Sequence, residues 1–376
     1  MLEAVERTRP DVQQKTVTLV DTDVHPVIRS RQDIIDYLPE PWRSLDYGAR
    51  AGGGSVIARI YDPPDTALTK GMRTDTVPPG GGAACSDPAF AYKQLIEDEG
   101  IDLAILISLQ ARLRANAEQE AAVIAATNSW LADVWLGEQN THGRFYGSIR
   151  ICPDDPSLAV AEIERWAGDP RWVQIYMTPE TTPAFGNPKY HPIYAAAERH
   201  SLPVAMHIIR PMGQRLLTPV GYPAYFHEHS AGIPLYYASH LASLVFEGVF
   251  EKFPGLRVVL VEGGFTWLLP LMWRMDAYWR ECKSEVPAVK RPPSEYVREH
   301  VRFTTQPLEE SDLNAFRKLC EWVDAERMLM FSTDYPHFSY DDPKWALNRF
   351  PQSIRSKIAA ENALELYGLP SQVGTA

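Results

Sequence analysis

Long apolar runs are missing from this 376-residue chain: no stretch is long and apolar enough to span a bilayer. The opening Met1 to Pro10 carries mixed charge and lacks the apolar segment of a signal peptide, so a cytoplasmic protein is expected. Cysteine is scarce. The four present, Cys85, Cys152, Cys282 and Cys320, are too far apart for a CxxC metal or redox motif and read as reduced thiols. There is no sustained basic run, and 37 basic against 48 acidic residues leave a formal charge of -11. That balance argues against a nucleic-acid groove or an anionic membrane surface as partner. No internal repeat or low-complexity segment points to a solenoid or a long disordered tail.

What the chain does have is a regular alternation. Thr16-Val-Thr-Leu-Val20 opens it as a buried strand, and seven further strand-like runs follow near residues 101–109, 145–151, 173–177, 203–207, 256–262, 301–305 and 328–334. Helix-length material separates them. Examples are 118–138, a helix with Ala159, Ile163 and Trp166 on one side, 193–200, 266–281 and 313–322. Eight strands alternating with helices predict a closed (β/α)8 barrel. The runner-up, an open doubly wound sheet, would place G-x-G-x-x-G after the first strand, and none is there. Residues 1–376 read as a single barrel domain. Residues 28–90, broken by Ala51-Gly-Gly-Gly54 and Val77-Pro-Pro-Gly-Gly-Gly82, read as an insertion after the first strand, either a lid or an interaction arm.

The reactive side chains gather where a barrel builds its active site. Asp23, His25, Arg150, Tyr176, His207, Glu262, Gln306 and Asp334 all fall at or just beyond the carboxyl ends of predicted strands. Asp23 and His25, two apart at the end of a strand, project from one side, and barrel closure would bring His207 and Asp334 to them. Two imidazoles and two carboxylates suit zinc, manganese or iron with a water-occupied open position. Each residue also has a plain alternative: Asp23 in a turn, His207 as a bonded core histidine, Asp334 capping the turn before Pro336. Their joint placement favours the metal.

The motifs Val20-Asp-Thr-Asp23-Val-His25, Asn187-Pro-Lys-Tyr-His-Pro-Ile193, Leu202-Pro-Val-Ala-Met-His207, Gly248-Val-Phe-Glu-Lys-Phe-Pro254, Val261-Glu-Gly-Gly-Phe-Thr-Trp267, Phe331-Ser-Thr-Asp-Tyr-Pro-His337 and Glu361-Asn-Ala363 span nearly the whole chain. In that order they resemble the amidohydrolase-related group that includes aminocarboxymuconate-semialdehyde decarboxylase. The resemblance implies a (β/α)8 barrel, a metal held by Asp23, His25, His207 and Asp334, and an acid/base residue after the sixth strand. Two departures stand out. The first-strand pair is Asp-x-His where many relatives have H-x-H, and Glu262 stands where the decarboxylases carry a catalytic histidine. The fourth strand offers no lysine for a carbamylated bridge between two metals.

Glu262 is therefore expected to be the catalytic acid/base, with His240 a second candidate near a helix start and His337 a support. His227 and His229, in a stretch from Arg210 to Pro234 read as an active-site loop, are candidates to complete a second metal site with Glu262. Arg150, Tyr176 and Arg210 are candidates to hold a substrate carboxylate. The expected activity is hydrolysis or decarboxylation of a small carboxylate- or amide-bearing metabolite with one divalent ion, two being possible. The alternatives are a dinuclear iron or iron–manganese oxygenase and a non-catalytic partner subunit. A homo-oligomer is expected, with a hetero-oligomer containing a related barrel the alternative.

Overall fold

The computed structural model describes residues 14–30, 32–44, 71–109, 117–209, 225–309 and 312–374. Eight parallel strands follow one another in sequence order: β2 (Val20–Val24), β3 (Leu103–Leu106), β4 (Phe145–Arg150), β5 (Trp172–Met177), β6 (Val204–His207), β7 (Val258–Val261), β8 (Val301–Thr304) and β9 (Leu329–Met330). Helices lie between them, as parallel connections demand. The ring closes where β2 meets the chain after β9. There the Thr22 N–H donates to the Phe331 carbonyl at 3.0 Å, and the His25 N–H donates to that of Tyr335 at 2.8 Å.

The strands are nearly continuous apolar runs because both faces are covered. One face, with Val20, Leu103, Ile105, Val259 and Val261 among its side chains, fills the barrel. The other packs on the surrounding helices through residues such as Leu106, Ile149, Ile175, Met206 and Phe303. Each fully buried side chain of this size contributes about 1.5–3 kcal/mol against staying in water. At the amino end of the strands a short antiparallel pair, β1 (Gln14–Thr16) with β10 (Gln372–Gly374), joins the two ends of the described chain. Asp102 pins that entry by accepting from the N–H groups of Thr18 (2.7 Å) and Leu19 (3.1 Å) and pairing with Lys15 at 2.7 Å.

Two sequence expectations change here. The stretch up to Pro234 is not all loop, since a helix runs from Phe226 to Phe246 with Pro234 inside it. Proline in a helix forfeits one backbone bond, and packing of the remaining turns against the barrel outweighs that loss. The last barrel strand is also shorter than 328–334, covering Leu329–Met330, and Asp334 beyond it takes φ 64°, outside the extended region.

Of the insertion, 31 and 45–70 lie outside the described residues. Its return limb lies against the loop after β9: the Arg73 N–H donates to the Pro336 carbonyl at 2.8 Å, and the Phe338 N–H to that of Gly71 at 2.9 Å.

Candidate active site

Asp23 and His25 leave the end of β2 on the same side, as alternation along a strand requires. They meet His207, the last residue of β6, and Asp334, four residues beyond β9. The His25 Nε2 lies 3.1 Å from the Asp23 Oδ1 and 3.0 Å from the Asp334 Oδ1. The His207 Nε2 lies 3.5 Å from the Asp23 Oδ1 and 3.3 Å from the Glu262 Oε2. Ligand-type atoms of Asp23, His25 and His207 fall within 4.8 Å of one another, as do those of His25, Asp334 and His337.

The donor set tests well against a cation. Both Asp23 oxygens and the His207 Nε2 are buried without a hydrogen-bond partner, a costly state for a carboxylate unless something positive sits among them. Burial alone would depress the His25 imidazole, but the Asp23 and Asp334 carboxylates outweigh it and hold it up at about 10. A proton there offsets part of the charge a divalent ion would neutralise, so proton and metal compete for one place. The other ring nitrogens are aimed from behind. The His25 Nδ1 faces the Ile107 carbonyl at 3.0 Å and the His207 Nδ1 that of Ile208 at 2.5 Å, which leaves each Nε2 as the ligating atom. A hard-to-borderline divalent metal fits these residues.

Asp334 is held at both oxygens. Oδ1 faces His25 and His337, while Oδ2 accepts from the Gln306 Nε2 at 3.1 Å and the Ser339 Oγ at 2.7 Å. Burial would raise this carboxyl, yet the His337 and His25 contacts prevail and push it well below the usual range. Glu262 follows β7 at φ 56°, and its N–H donates to the Thr304 Oγ1 at 3.1 Å. Burial, and after it the Asp334 charge, push its carboxyl up to about 8. With 21% of its side chain accessible, Glu262 is also the carboxylate of this group that solvent can reach. Non-glycine residues at positive φ are uncommon, and two at one site mark strain of order 1–3 kcal/mol each that the surrounding fold offsets. Gly263 is needed next to it, since a Cβ there would stand 3.0 Å from the Tyr237 ring. The Tyr237 hydroxyl, in turn, ties the Ile208 N–H to the Val261 carbonyl.

Arg150 and Tyr176, at the ends of β4 and β5, are buried beside this centre. The guanidinium lies 5.8 Å from the Tyr176 ring centroid, and that ring meets His207 edge-on at 6.1 Å. Arg210 lies outside the described residues.

His240 is not placed for acid/base work. Its Nδ1 accepts from the Phe185 N–H at 3.1 Å, its Nε2 faces the Pro179 carbonyl at 2.6 Å, and its ring stacks on Phe185 at 4.0 Å. With both nitrogens engaged, its role is to fasten the loop after β5. His227 and His229 sit in the first turns of the 226–246 helix, and among the described residues neither joins a group of ligand atoms. Among the described residues, Glu262, His227 and His229 do not come together as one group of ligand atoms. Asp21 and Gln306 help organise the site; Gln306 is visible in sequence as a strand-end residue without an assigned role, whereas Asp21 is not. Asp21 reads as part of a turn, and only its place on the closing strand would have marked it.

A cluster of two imidazoles and two carboxylates at the carboxyl end of a (β/α)8 barrel defines a metal-dependent enzyme. The sequence model of the family described as Amidohydrolase matches residues 20–369, and the chain belongs to that family. Among its curated relatives is the gamma-resorcylate decarboxylase of Rhodococcus jostii (strain RHA1), 26% identical over 292 residues, covering 73% of this chain and 86% of that protein. The enzyme of the same name from Polaromonas sp. (strain JS666) is 27% identical over 296 residues, with the same coverage. Solved structures share the fold. The 5-carboxyvanillate decarboxylase of Sphingomonas paucimobilis has a TM-score of 0.71 at 20% identity, over 94% of this chain and 100% of that one. A dihydroxybenzoic acid decarboxylase from Polaromonas sp. JS666, solved with manganese and 2-nitroresorcinol, has a TM-score of 0.62 at 20% identity, over 94% and 97%.

Proposed function

We propose that this chain is a manganese-type, mononuclear carboxy-lyase that removes the carboxylate of a hydroxylated aromatic acid. The carrying observation is the pairing, in one barrel mouth, of the buried Asp23–His25–His207 donor set with the buried Arg150 on Tyr176. The curated relatives' names, which specify a dihydroxybenzoate, support it. So does β5, Trp-Val-Gln-Ile-Tyr-Met, which lacks the lysine a bridged metal pair would use.

Asp23, His25, His207 and Asp334 would hold the ion, which when bound supplies positive charge to anchor and polarise the substrate's oxygens. Arg150 grips the carboxylate, and the Tyr176 ring closes that wall of the pocket. Glu262, the carboxyl within reach of both solvent and His207, delivers a proton from Oε2 to the ring carbon that bears the carboxylate. The carbon–carbon bond then breaks, its electron pair restores the aromatic ring, and carbon dioxide leaves. A solvent proton returns to Glu262.

The experiment is a side-by-side assay of the manganese-loaded protein with 2,6-dihydroxybenzoate and with simple aryl amides. Carbon dioxide release from the first is expected, falling at least 100-fold in Glu262→Gln. Amide cleavage with no carbon dioxide release would replace this reading with metal-assisted hydrolysis, Glu262 then acting as base.

A further inference from the structure

We propose that Gln306 reads a ring hydroxyl of the substrate, a role that rests on the aromatic-acid reading above. Gln306 stands just beyond β8 and is 1% exposed. Its amide orientation is settled by its neighbours: Nε2 donates to the Asp334 Oδ2 at 3.1 Å and to the Ser339 carbonyl at 3.0 Å, two groups that only accept. The Oε1 is therefore turned away from both. It is buried and has no hydrogen-bond partner. A buried amide carbonyl seeks a donor, and an incoming O–H provides one.

The choice of residue fits this double task. A glutamate here would set a second carboxylate against Asp334, and an apolar residue would leave the Asp334 Oδ2 with Ser339 alone among these two side-chain donors. A glutamine donates to the metal-binding carboxylate on one side and offers an acceptor on the other.

The place in the barrel fits as well. In the order β2 to β9, β4 is the third strand and β8 the seventh, so the strands that carry Arg150 and precede Gln306 stand on opposite sides of the barrel. An aromatic acid lying over the metal residues would bring a hydroxyl ortho to its carboxylate beside Asp334, and so beside the Gln306 amide bonded to it. Sites built to pair a substrate hydroxyl reject the analogue that lacks it, because the protein's buried group is then left unpaired.

The test measures dissociation constants of 2,6-dihydroxybenzoate and 2,6-difluorobenzoate, similar in size but without a donor, by calorimetry on manganese-loaded protein. Wild type is expected to prefer the dihydroxy acid by about tenfold or more. In Gln306→Met that preference should shrink about tenfold, mainly through weaker binding of the dihydroxy acid. Ser339→Ala removes the other side-chain donor to the Asp334 Oδ2 and should leave the preference intact. An unchanged preference in Gln306→Met, or an equal loss in Ser339→Ala, overturns the proposal, the latter by showing that the effect runs through Asp334. If Gln306→Met does not fold, equal binding of the two acids by wild type overturns it alone. Wild type binding neither acid removes the aromatic-acid reading itself, and the Gln306 role with it.

Discussion

Asp23 is fully buried, its oxygens lack a hydrogen bond, and its close neighbours are the His25 and His207 imidazoles at 3.1 and 3.5 Å, so a cation among these groups would find a ready counter-charge. Asp23→Asn should therefore weaken manganese binding by at least 100-fold while changing metal-free stability little, since the lost attraction to His25 opposes the lost cost of burying a carboxylate. Equilibrium dialysis and thermal unfolding measure the two effects, and loss of metal-free stability would contradict the account. His240 shows the opposite logic. Burial, opposed only by the Pro179 carbonyl, pushes it down to about 4 from an ordinary 6.5. Between those values the unfolded chain takes up a proton that the folded one excludes. The stabilisation is thus complete above about pH 6.5 and falls away as pH drops towards 4, by about 3 kcal/mol in all. Urea unfolding of His240→Gln should show a flatter dependence over that window with metal content unchanged. A loss of metal, or a slope as steep as wild type's, would return His240 to the site.

The decisive element is the seam between β2 and the segment after β9. Asp21 spans it: Oδ1 accepts from the Asp23 N–H at 3.1 Å and the Thr333 N–H at 3.0 Å, and Oδ2 accepts from the Thr333 hydroxyl at 2.5 Å. Each of these bonds fixes a proposed metal ligand or its chain neighbour, so Asp21 bears on how Asp23 and Asp334 approach each other. Asp21→Ala removes all of them and should cost about 2–5 kcal/mol, with a lowered unfolding midpoint. Thr333→Val keeps the Thr333 N–H bond but loses both hydroxyl bonds, the one to Asp21 and the one from the Tyr335 N–H at 3.1 Å, and should cost about 2 kcal/mol. β8 plays a similar part without supplying a ligand, since Thr304 receives the Glu262 N–H and Gln306 holds Asp334.

At the scale of the whole molecule, a cation that neutralises the centre binds only the folded chain, because its ligands come from β2, β6 and the segment after β9. Chelation should lower the unfolding midpoint by several degrees, and manganese at about 100 times its dissociation constant should restore about 2.7 kcal/mol. Calorimetric scans with and without metal measure this, and coincident transitions would argue against the site.

Much of this organisation was legible in one dimension. Apolar runs of strand length separated by helical spacing encode the barrel, because burial on both faces demands such runs. The proposed ligands at the strand ends, Asp23, His25, His207 and Asp334, could be picked out because a strand's last residues are where a barrel exposes chemistry. What spacing could not convey is which partner each polar atom meets. Glu262 and, behind it, His240 are both candidates for acid/base work in sequence. The fold engages both nitrogens of His240 with backbone and sets Glu262 3.3 Å from His207. His227 and His229 stand on a helix that begins at Phe226 and not in a loop, which an internal proline conceals in the sequence. Local periodicity is a property of neighbours along the chain and survives in the sequence. The roles of Asp21 and Gln306 depend on contacts with residues 312 and 28 positions away, and only closure of the barrel creates them.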